Sequence, residues 1–293
     1  MFASPAEGWW VARSATYATS SGLFAHDGEL CLIDPGIAPQ EVARLARFVR
    51  ERGWRPLYLV LTHAHWDHLL GASAFPATVI AQRAYVEVVA AHEADLRRQV
   101  HRWAAEEGLS LPPFAPPRPV LTFGRRMRLH VGCRPLLLLA TPGHSEDHLS
   151  LFDEGTGLLW AGDMLSDREL PYVQHDAAAY LDSLERLHAL GAAVLVPGHG
   201  LPTAEAAEIE ARFERDRAYL HRLTDCVEAA LRAGEPMGAA LRRCDFPLPL
   251  EDEANRTAHR WNVETLYARR AAEEGHPLEG VWGWAREWRG ERL

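Results

Sequence analysis

The 293-residue sequence contains no lysine, and all 31 of its basic residues are arginines. A chain without lysine cannot form a lysine Schiff base with a carbonyl substrate, and it lacks the lysine of a P-loop phosphate site. The formal net charge of -9 and the sequence pI near 5.9 also argue against nucleic-acid binding, which usually draws on clustered positive charge. No nucleic-acid partner is therefore expected.

Cysteine is scarce, and long apolar runs are absent. Cys31, Cys133, Cys226 and Cys244 form no CxxC pair, so their spacing predicts neither a disulfide framework nor a thiolate zinc site, and we expect four buried thiols. No stretch approaches the roughly 18 apolar residues of a membrane span, and the N-terminal residues do not resemble a signal peptide. These absences predict a cytoplasmic protein without a membrane partner.

The first 200 residues alternate between short apolar segments and helical periodicity. Segments such as ELCLIDPG, PLYLVLT and PLLLLATPG are typical of strands, and the Asp27-Gly28 pair predicts a hairpin turn. From about Thr203 onward the pattern is only helical. The sequence thus predicts an α/β domain over residues 1–204. A helical C-terminal extension over residues 205–293 is expected to pack on it, and tryptophans such as Trp282 and Trp288 could close a pocket, pack on the domain or form a dimer contact.

The segment LVLTHAHWDHLLGA places four metal-binding side chains directly after an apolar strand. His63, His65, Asp67 and His68 fall within six residues. Imidazole and carboxylate ligands suit zinc, and also iron or manganese. Because histidines also cluster by chance, cap helices or bind buried carbonyls, the segment alone favours a metal site without establishing one.

Three further ligands follow later apolar strands. His144 comes after the Pro-Gly of LLLLATPGHS, Asp163 follows a glycine in GLLWAGDML, and His199 follows the Pro-Gly of AVLVPGHG. Glycine beside each ligand permits sharp turns and a close approach to a bound ion. Strand ends that meet at one edge of a sandwich would bring these side chains together, whereas His148 is expected to support the site rather than bind metal.

In their order and spacing, HAHWDH, PGHS, GD and PGHG resemble the motifs of the metallo-β-lactamase-fold hydrolase superfamily, over roughly residues 8 to 202. The resemblance implies a four-layer αββα sandwich with a binuclear metal site. The ligands that it implies are His63, His65 and His144 for one ion, Asp67, His68 and His199 for the other, and Asp163 as a bridge between them.

A site of this kind would hold two zinc ions, with iron and manganese as alternatives. Two cations that share a hydroxide provide a nucleophile at neutral pH, and the sequence contains no GxSxG motif. We therefore hypothesise a hydrolase whose bridging hydroxide attacks a small ester, lactone or thioester. Asp67 would be the catalytic residue that orients the hydroxide.

The substrate is encoded more weakly than the metal site. Trp66, Leu165, Tyr172 and His175 are predicted to line a substrate pocket for a small molecule. Common class B β-lactamases have a cysteine where this chain has Asp163, so antibiotic hydrolysis is disfavoured. A mononuclear iron persulfide dioxygenase of the same fold is the main alternative function, and an RNA-cleaving nuclease is the least favoured. The chain is expected to act as a monomer or a homodimer.

Overall fold

A first sheet of six strands has the order β1-β2-β3-β4-β5-β6 in the computed structural model, which describes residues 2–273. Its strands are β1 Trp9–Arg13, β2 Ser20–His26, β3 Glu29–Ile33, β4 Arg55–Val60, β5 Thr78–Gln82 and β6 Leu121–Phe123. The first three strands pair antiparallel and the later ones parallel. The predicted hairpin turn is confirmed, because Asp27 and Gly28 join β2 to β3 with φ angles of 51° and 77°.

A second sheet of five strands has the order β11-β10-β9-β8-β7. Its strands are β7 Arg126–Val131, β8 Arg134–Ala140, β9 Leu149–Asp153, β10 Leu158–Gly162 and β11 Val194–Pro197. Neighbouring strands pair antiparallel except β10 and β11, which run parallel. The strands of this sheet match the predicted apolar segments.

Helices cover the outer face of each sheet. The helices are α1 Pro39–Glu51, α2 Tyr85–Glu106, α3 Ala177–His188, α4 Ala206–Arg232, α5 Met237–Arg243 and α6 Glu253–Glu273. One hydrophobic cluster joins α1 and α2 to the first sheet, and another joins α3 to α6 to the second. The αββα sandwich with C-terminal helices is thereby confirmed, whereas the domain boundary near residue 204 stays a prediction. Trp282 and Trp288 lie outside the residues that the structure describes. Within residues 2–273, no helix is long and apolar enough to cross a membrane.

The two sheets pack through a third hydrophobic cluster, in which tryptophans are prominent. Trp9 and Trp160 are fully buried, and their ring centroids lie 6.3 Å apart. Gly22 faces Trp160, and a Cβ atom at this position would lie 2.7 Å from the indole ring. Glycine therefore lets β2 approach the second sheet at this point.

Two short strands of the first sheet, β5 and β6, are missing from the sequence prediction. β5 has five residues and β6 only three, and Leu121 and Thr122 of β6 are exposed. Neither segment shows the alternation or the long apolar run that predicts a strand. Each is a strand because it pairs with parallel neighbours that are distant along the chain.

The prediction of four buried thiols is wrong. Cys226 of α4 and Cys244 at the end of α5 form a disulfide with a Cα–Cα distance of 5.7 Å. Cys31 is a free buried thiol, and Cys133 is exposed. A separation of 18 residues did not reveal that α4 and α5 lie side by side. The cysteines consequently no longer support the expectation of a cytoplasmic protein.

Asp153, at the end of β9, joins the two sheets through a buried carboxylate. Its Oδ2 accepts hydrogen bonds from Trp9 Nε1 at 2.9 Å and from Thr156 Oγ1 at 2.7 Å, and it pairs with Arg134 at 2.5 Å. Trp9 belongs to the first sheet and Asp153 to the second. Burial raises the pKa of Asp153, but the hydrogen bonds from Thr156, Trp9 and Arg134 outweigh burial and lower it.

We expect Asp153→Asn to reduce the free energy of unfolding by about 2 kcal/mol near neutral pH, since hydrogen bonds to a charged acceptor contribute about 1.5–3 kcal/mol. A carboxylate with a lowered folded-state pKa stabilises the fold above its unfolded-state value of about 3.9, and this contribution disappears as the pH falls through the folded-state pKa. Urea unfolding of both proteins between about pH 7 and about pH 2 measures the difference. Exposed Asp182→Asn is the control, and a pH-independent difference for Asp153→Asn would contradict the ionic origin.

Candidate metal centre

Strand ends of both sheets deliver the predicted ligands to one edge of the sandwich. The HAHWDH segment follows β4, and His144, Asp163 and His199 follow β8, β10 and β11. The seven side chains form two groups, and within each group the ligand atoms lie within 4.8 Å of one another. One group is His63, His65, His144 and Asp163, and the other is Asp67, His68 and His199.

The Asp163 carboxylate lies between the two groups. Its Oδ2 is 3.4 Å from Nε2 of His63, 3.5 Å from Nε2 of His144 and 3.2 Å from Nε2 of His199. Its Oδ1 is 3.3 Å from Nε2 of His68. One carboxylate therefore faces ligand atoms of both groups, which is the arrangement expected of a bridging ligand.

The spacing of these atoms fits a metal ion better than a hydrogen-bond network. Tetrahedral ligands at about 2.0–2.2 Å from zinc are separated from each other by about 3.4 Å, and the observed separations cluster around that value. His63 Nε2, His68 Nε2 and Asp163 Oδ1 are buried and make no hydrogen bond with any residue of the range 2–273. An unsatisfied buried polar atom costs about 1–3 kcal/mol, and a bound cation would remove that cost.

The outward ring nitrogen of each histidine is held by a protein oxygen, which leaves the other nitrogen for an ion. The pairs are His63 Nδ1 with Thr62 Oγ1 at 3.0 Å, His65 Nε2 with Gln174 Oε1 at 2.7 Å, His68 Nδ1 with Asp34 Oδ2 at 2.9 Å, His144 Nδ1 with the Tyr172 carbonyl at 2.9 Å, and His199 Nδ1 with the Tyr17 carbonyl at 3.0 Å. Such partners fix the orientation of a metal-binding imidazole.

Burial and the acidic neighbours divide the histidines into two electrostatic classes. Burial lowers the pKa of His63, His65 and His144, so their rings are neutral and able to bind metal at neutral pH. Burial also lowers the pKa of His199, but the Asp163 and Glu169 carboxylates overcome this effect and raise it to about 10. The second group thus lies in a field that attracts positive charge, which suits a cation.

Asp34 is a site residue that the sequence analysis did not identify, although it lies in the strand-like segment ELCLIDPG. It is buried at the end of β3, where its carboxylate accepts hydrogen bonds from the backbone N–H of Thr62 at 2.9 Å and from Thr62 Oγ1 at 2.6 Å. It also holds His68. The signal that could have found it is position, because β3 ends at the same edge as β4.

Four non-glycine residues next to the ligands have left-handed backbone conformations. Tyr17, Ala18, Asp34 and Leu165 have φ angles of 52°, 56°, 45° and 60°. Such conformations are unfavourable for residues with a Cβ atom, and they persist only where surrounding contacts hold them. Their position beside the ligands indicates that backbone strain is concentrated at this site.

His148 directly precedes β9 and contacts the backbone of Asp163, in agreement with its predicted supporting role. Its Nδ1 donates to the Thr141 carbonyl at 3.0 Å, and its Nε2 accepts from the backbone N–H of Asp163 at 3.0 Å. Burial lowers the pKa of His148 to about 4, which keeps the ring neutral. A Cβ atom on Gly162 would lie 2.4 Å from this Nε2, so only glycine fits at position 162.

A buried polar face of α4 holds the loop that follows Asp163. Asp216 Oδ2 accepts from the backbone N–H of Leu165 at 3.2 Å, and Arg212 Nη1 donates to the Leu165 carbonyl at 3.2 Å. Ser166 Oγ in turn donates to the His199 carbonyl at 2.8 Å. Sequence periodicity could not distinguish these inward charges from a solvated helix face.

A cavity of about 1140 Å³ opens directly onto the metal centre. Three of the four predicted pocket residues, Trp66, Leu165 and Tyr172, line it, and Tyr17 and Trp261 join them. His175 does not line this cavity, because the chain turns into α3 there and the His175 carbonyl faces Arg269. The prediction of His175 as a pocket residue is therefore not supported by its position.

The family model of the metallo-beta-lactamase superfamily matches residues 16–199. A hydroxyacylglutathione hydrolase of Rhodobacter capsulatus is 28% identical over 197 residues, which cover 67% of this chain and 68% of that protein. A hydroxyacylglutathione hydrolase of Cereibacter sphaeroides is 27% identical over 214 residues, covering 72% and 73%.

Solved structures extend the comparison. The metallo-beta-lactamase family protein TTHA1429 of Thermus thermophilus matches with a TM-score of 0.65 at 23% identity, covering 93% of this chain and 95% of that one. TTHA1623, solved in a di-iron-bound form, matches with a TM-score of 0.52 at 30% identity, covering 69% and 97%. From the match over residues 16–199, the chain belongs to the metallo-beta-lactamase superfamily.

Proposed function

We propose that this protein is a binuclear metal-dependent hydrolase that cleaves an ester, lactone or thioester. The observation that carries the proposal is the position of the Asp163 carboxylate, within 3.5 Å of imidazole nitrogens from both ligand groups. A site for one ion would not need a second complete group of Asp67, His68 and His199. The same observation favours hydrolysis over the mononuclear iron dioxygenase.

The relatives support a thioester among the candidate substrates. Two of them are named hydroxyacylglutathione hydrolase, and an acylglutathione is a thioester. We propose zinc as the metal, and the di-iron form of TTHA1623 supports iron as the alternative. Nitrogen and carboxylate ligands bind either metal.

Two bound metal ions would supply the same chemistry in any site of this type. The residues of this chain set the position of the ions and the ionisation of the groups around them. When bound, two such ions polarise a carbonyl group and make a nucleophile of water near neutral pH. His199 and His68 overcome the effect of burial and hold the pKa of Asp163 well below its usual range, so this residue is an ionised carboxylate between the two groups.

Asp67 is the residue that we propose to orient the nucleophile. Its Oδ2 accepts from Thr19 Oγ1 at 3.2 Å and lies 3.4 Å from His199 Nε2 and 3.5 Å from His68 Nε2. The Thr19 hydroxyl also lies 3.4 Å from Nδ1 of His199, so it contacts both the carboxylate and this imidazole. Because Asp67 also lines the cavity, its carboxylate is accessible to a water molecule and to a substrate.

Aromatic side chains define where the substrate lies. The Tyr17 ring lies edge-on to Trp66 at 6.0 Å between centroids, and on the other side the Tyr172 ring lies 5.8 Å from both His144 and Trp261. The cavity volume is slightly above the roughly 300–1,000 Å³ of ordinary ligand pockets. We propose that an apolar or ring-bearing part of the substrate lies along these aromatic walls.

The last helix, α6, fixes the segment that carries the Tyr172 carbonyl and, just after it, Gln174, which hold His144 and His65. Asn262 Oδ1 accepts from the backbone N–H of Val173 and its Nδ2 donates to the Pro171 carbonyl, both at 2.7 Å. Asn255 makes the same kind of pair with the Leu170 N–H and the Arg168 carbonyl, at 2.8 and 2.9 Å. Through the loop between them, α6 positions the Tyr172 carbonyl that holds His144.

We expect Asp163→Asn to reduce kcat/KM for the best substrate at least about a thousandfold, since the loss of several kcal/mol of transition-state stabilisation corresponds to that factor. The measurement is hydrolysis of a panel of esters, lactones, thioesters and persulfides by one preparation with its metal content determined. His188→Ala, on α3 outside the cavity, is the control. One iron per chain with oxygen-dependent sulfite formation from a persulfide would instead support the dioxygenase.

Removal of bound metal should lower the thermal stability. A ligand present at about a hundred times its Kd stabilises the native state by about 2.7 kcal/mol, so a chelator should lower the Tm by several degrees. Differential scanning calorimetry with and without chelator measures the shift. His144→Ala should show a smaller chelator effect than the wild type, whereas an equal effect in both would contradict the role of His144 as a ligand.

Asn262→Ala should weaken metal binding about tenfold or more, because loss of a group that supports a metal ligand typically costs about 10–100-fold in affinity. Competition with a chromogenic chelator measures the affinity, and Arg260→Ala on the exposed side of α6 is the control. If Asn262→Ala lowers the Tm while metal affinity is unchanged, the residue only stabilises the fold.

A further inference from the structure

A second group of potential ligands lies at the edge of the sandwich opposite the metal centre. His26 ends β2 and Asp27 follows it, while Cys133 lies in the turn between β7 and β8. The other end of β2 is at the metal centre, where the backbone N–H of Ser20 donates to the Gly198 carbonyl. At about 3.3 Å per residue, the seven residues of β2 separate the two sites by about 20 Å.

The three donors converge on one point. His26 Nε2 is 3.1 Å from Cys133 Sγ and 3.5 Å from Asp27 Oδ2, and ligand atoms of all three residues lie within 4.8 Å of one another. Around a tetrahedral zinc ion, an imidazole nitrogen lies about 3.6 Å from a thiolate and about 3.4 Å from a carboxylate oxygen. The distances of His26 Nε2 from Cys133 Sγ and from Asp27 Oδ2 each lie within about half an ångström of these values.

A glycine and a backbone-to-side-chain hydrogen bond hold the two turns together. Gly132 has a φ of 55°, and a Cβ atom there would lie 2.9 Å from both Cβ and Oδ2 of Asp27. Its backbone N–H donates to Glu29 Oε2 at 2.9 Å. The approach of Cys133 to His26 is therefore fixed by a glycine that permits it and by a hydrogen bond between the turns.

The donors are accessible, and the neighbouring arginines are engaged elsewhere. The His26 and Asp27 side chains are 28% and 62% exposed, so a fourth coordination position faces water. Arg55 pairs with Glu29, and Arg134 pairs with Asp153 at 2.5 Å. Within the part of the chain that the structure describes, His26 is thus the one basic side chain that pairs with Asp27.

We propose that His26, Asp27 and Cys133 bind one thiophilic divalent cation of the zinc type. Thiolate, imidazole and carboxylate are together the ligands that zinc prefers, with water in the fourth position. The ion would join the β2–β3 turn of the first sheet to the β7–β8 turn of the second. It would act as a structural clip, independent of catalysis.

Cobalt(II) distinguishes this site from the metal centre, because all the predicted ligands of the centre are nitrogen and oxygen atoms. Titration of the full-length protein with Co²⁺, without reductant so that Cys226 and Cys244 stay joined, should produce a sulfur-to-cobalt charge-transfer band. Cys133→Ser should abolish the band and lower the bound cobalt by one equivalent per chain. Hydrolytic activity should be unchanged in this variant.

Two further variants test which residues bind the cobalt ion. Asp27→Asn should weaken cobalt binding at this site while the left-handed turn is kept, since asparagine tolerates positive φ. Cys31→Ser, which changes the other free thiol, should leave the band unchanged. Persistence of the band in Cys133→Ser, or its absence in the wild type at saturating Co²⁺, would overturn the proposal. Neither result would bear on the proposed hydrolase function.

Discussion

The buried carboxylate of Asp163 is the interaction on which the rest of the site depends. A charge without water around it is tolerated only where opposite charge or hydrogen bonds compensate it. Here four imidazole nitrogens face its two oxygens, and His148 and Tyr180 hold its backbone from behind. The strand ends, the glycines beside them and the fixed ring orientations all serve to keep these groups around one point. The sandwich is the frame that makes such a concentration of charge stable.

Much of this was readable from the sequence because the ligands carry a side-chain signal. Histidines and aspartates that follow apolar strands predicted the fold, which is confirmed, and seven ligands, which the structure brings together in two groups that could hold metal. The groups that orient them were harder to predict. Two of the five outward nitrogens bind the backbone carbonyls of Tyr172 and Tyr17. Every residue has a backbone carbonyl, so the residue type does not show which one is used. Asp34 binds His68 through its side chain, but it stood in a motif that also predicts an ordinary turn.

The helical part of the chain was predicted as elements but not as contacts. Helical periodicity predicted the segments of α4 and α6, but it did not predict which of their polar residues are buried. Arg212 and Asp216 of α4 and Asn262 of α6 are instead buried, and they bind backbone groups of the loops around the centre. A buried polar residue is stable when a partner satisfies it, and the partner is visible only in three dimensions. For the same reason the disulfide between α4 and α5 was missed.

The contacts made by Asn255 and Asn262 show that the residues that could hold metal and the residues that position their surroundings lie in different parts of the chain. All seven ligands lie before residue 200, within the segment that carries the family motifs. The backbone of the 168–173 loop is nevertheless held by amides that lie far along the chain, on α6. The position of this loop beside the cavity therefore depends on residues that the ligand motifs do not include. In this chain, α6 thereby helps to shape the cavity as well as to pack on the second sheet.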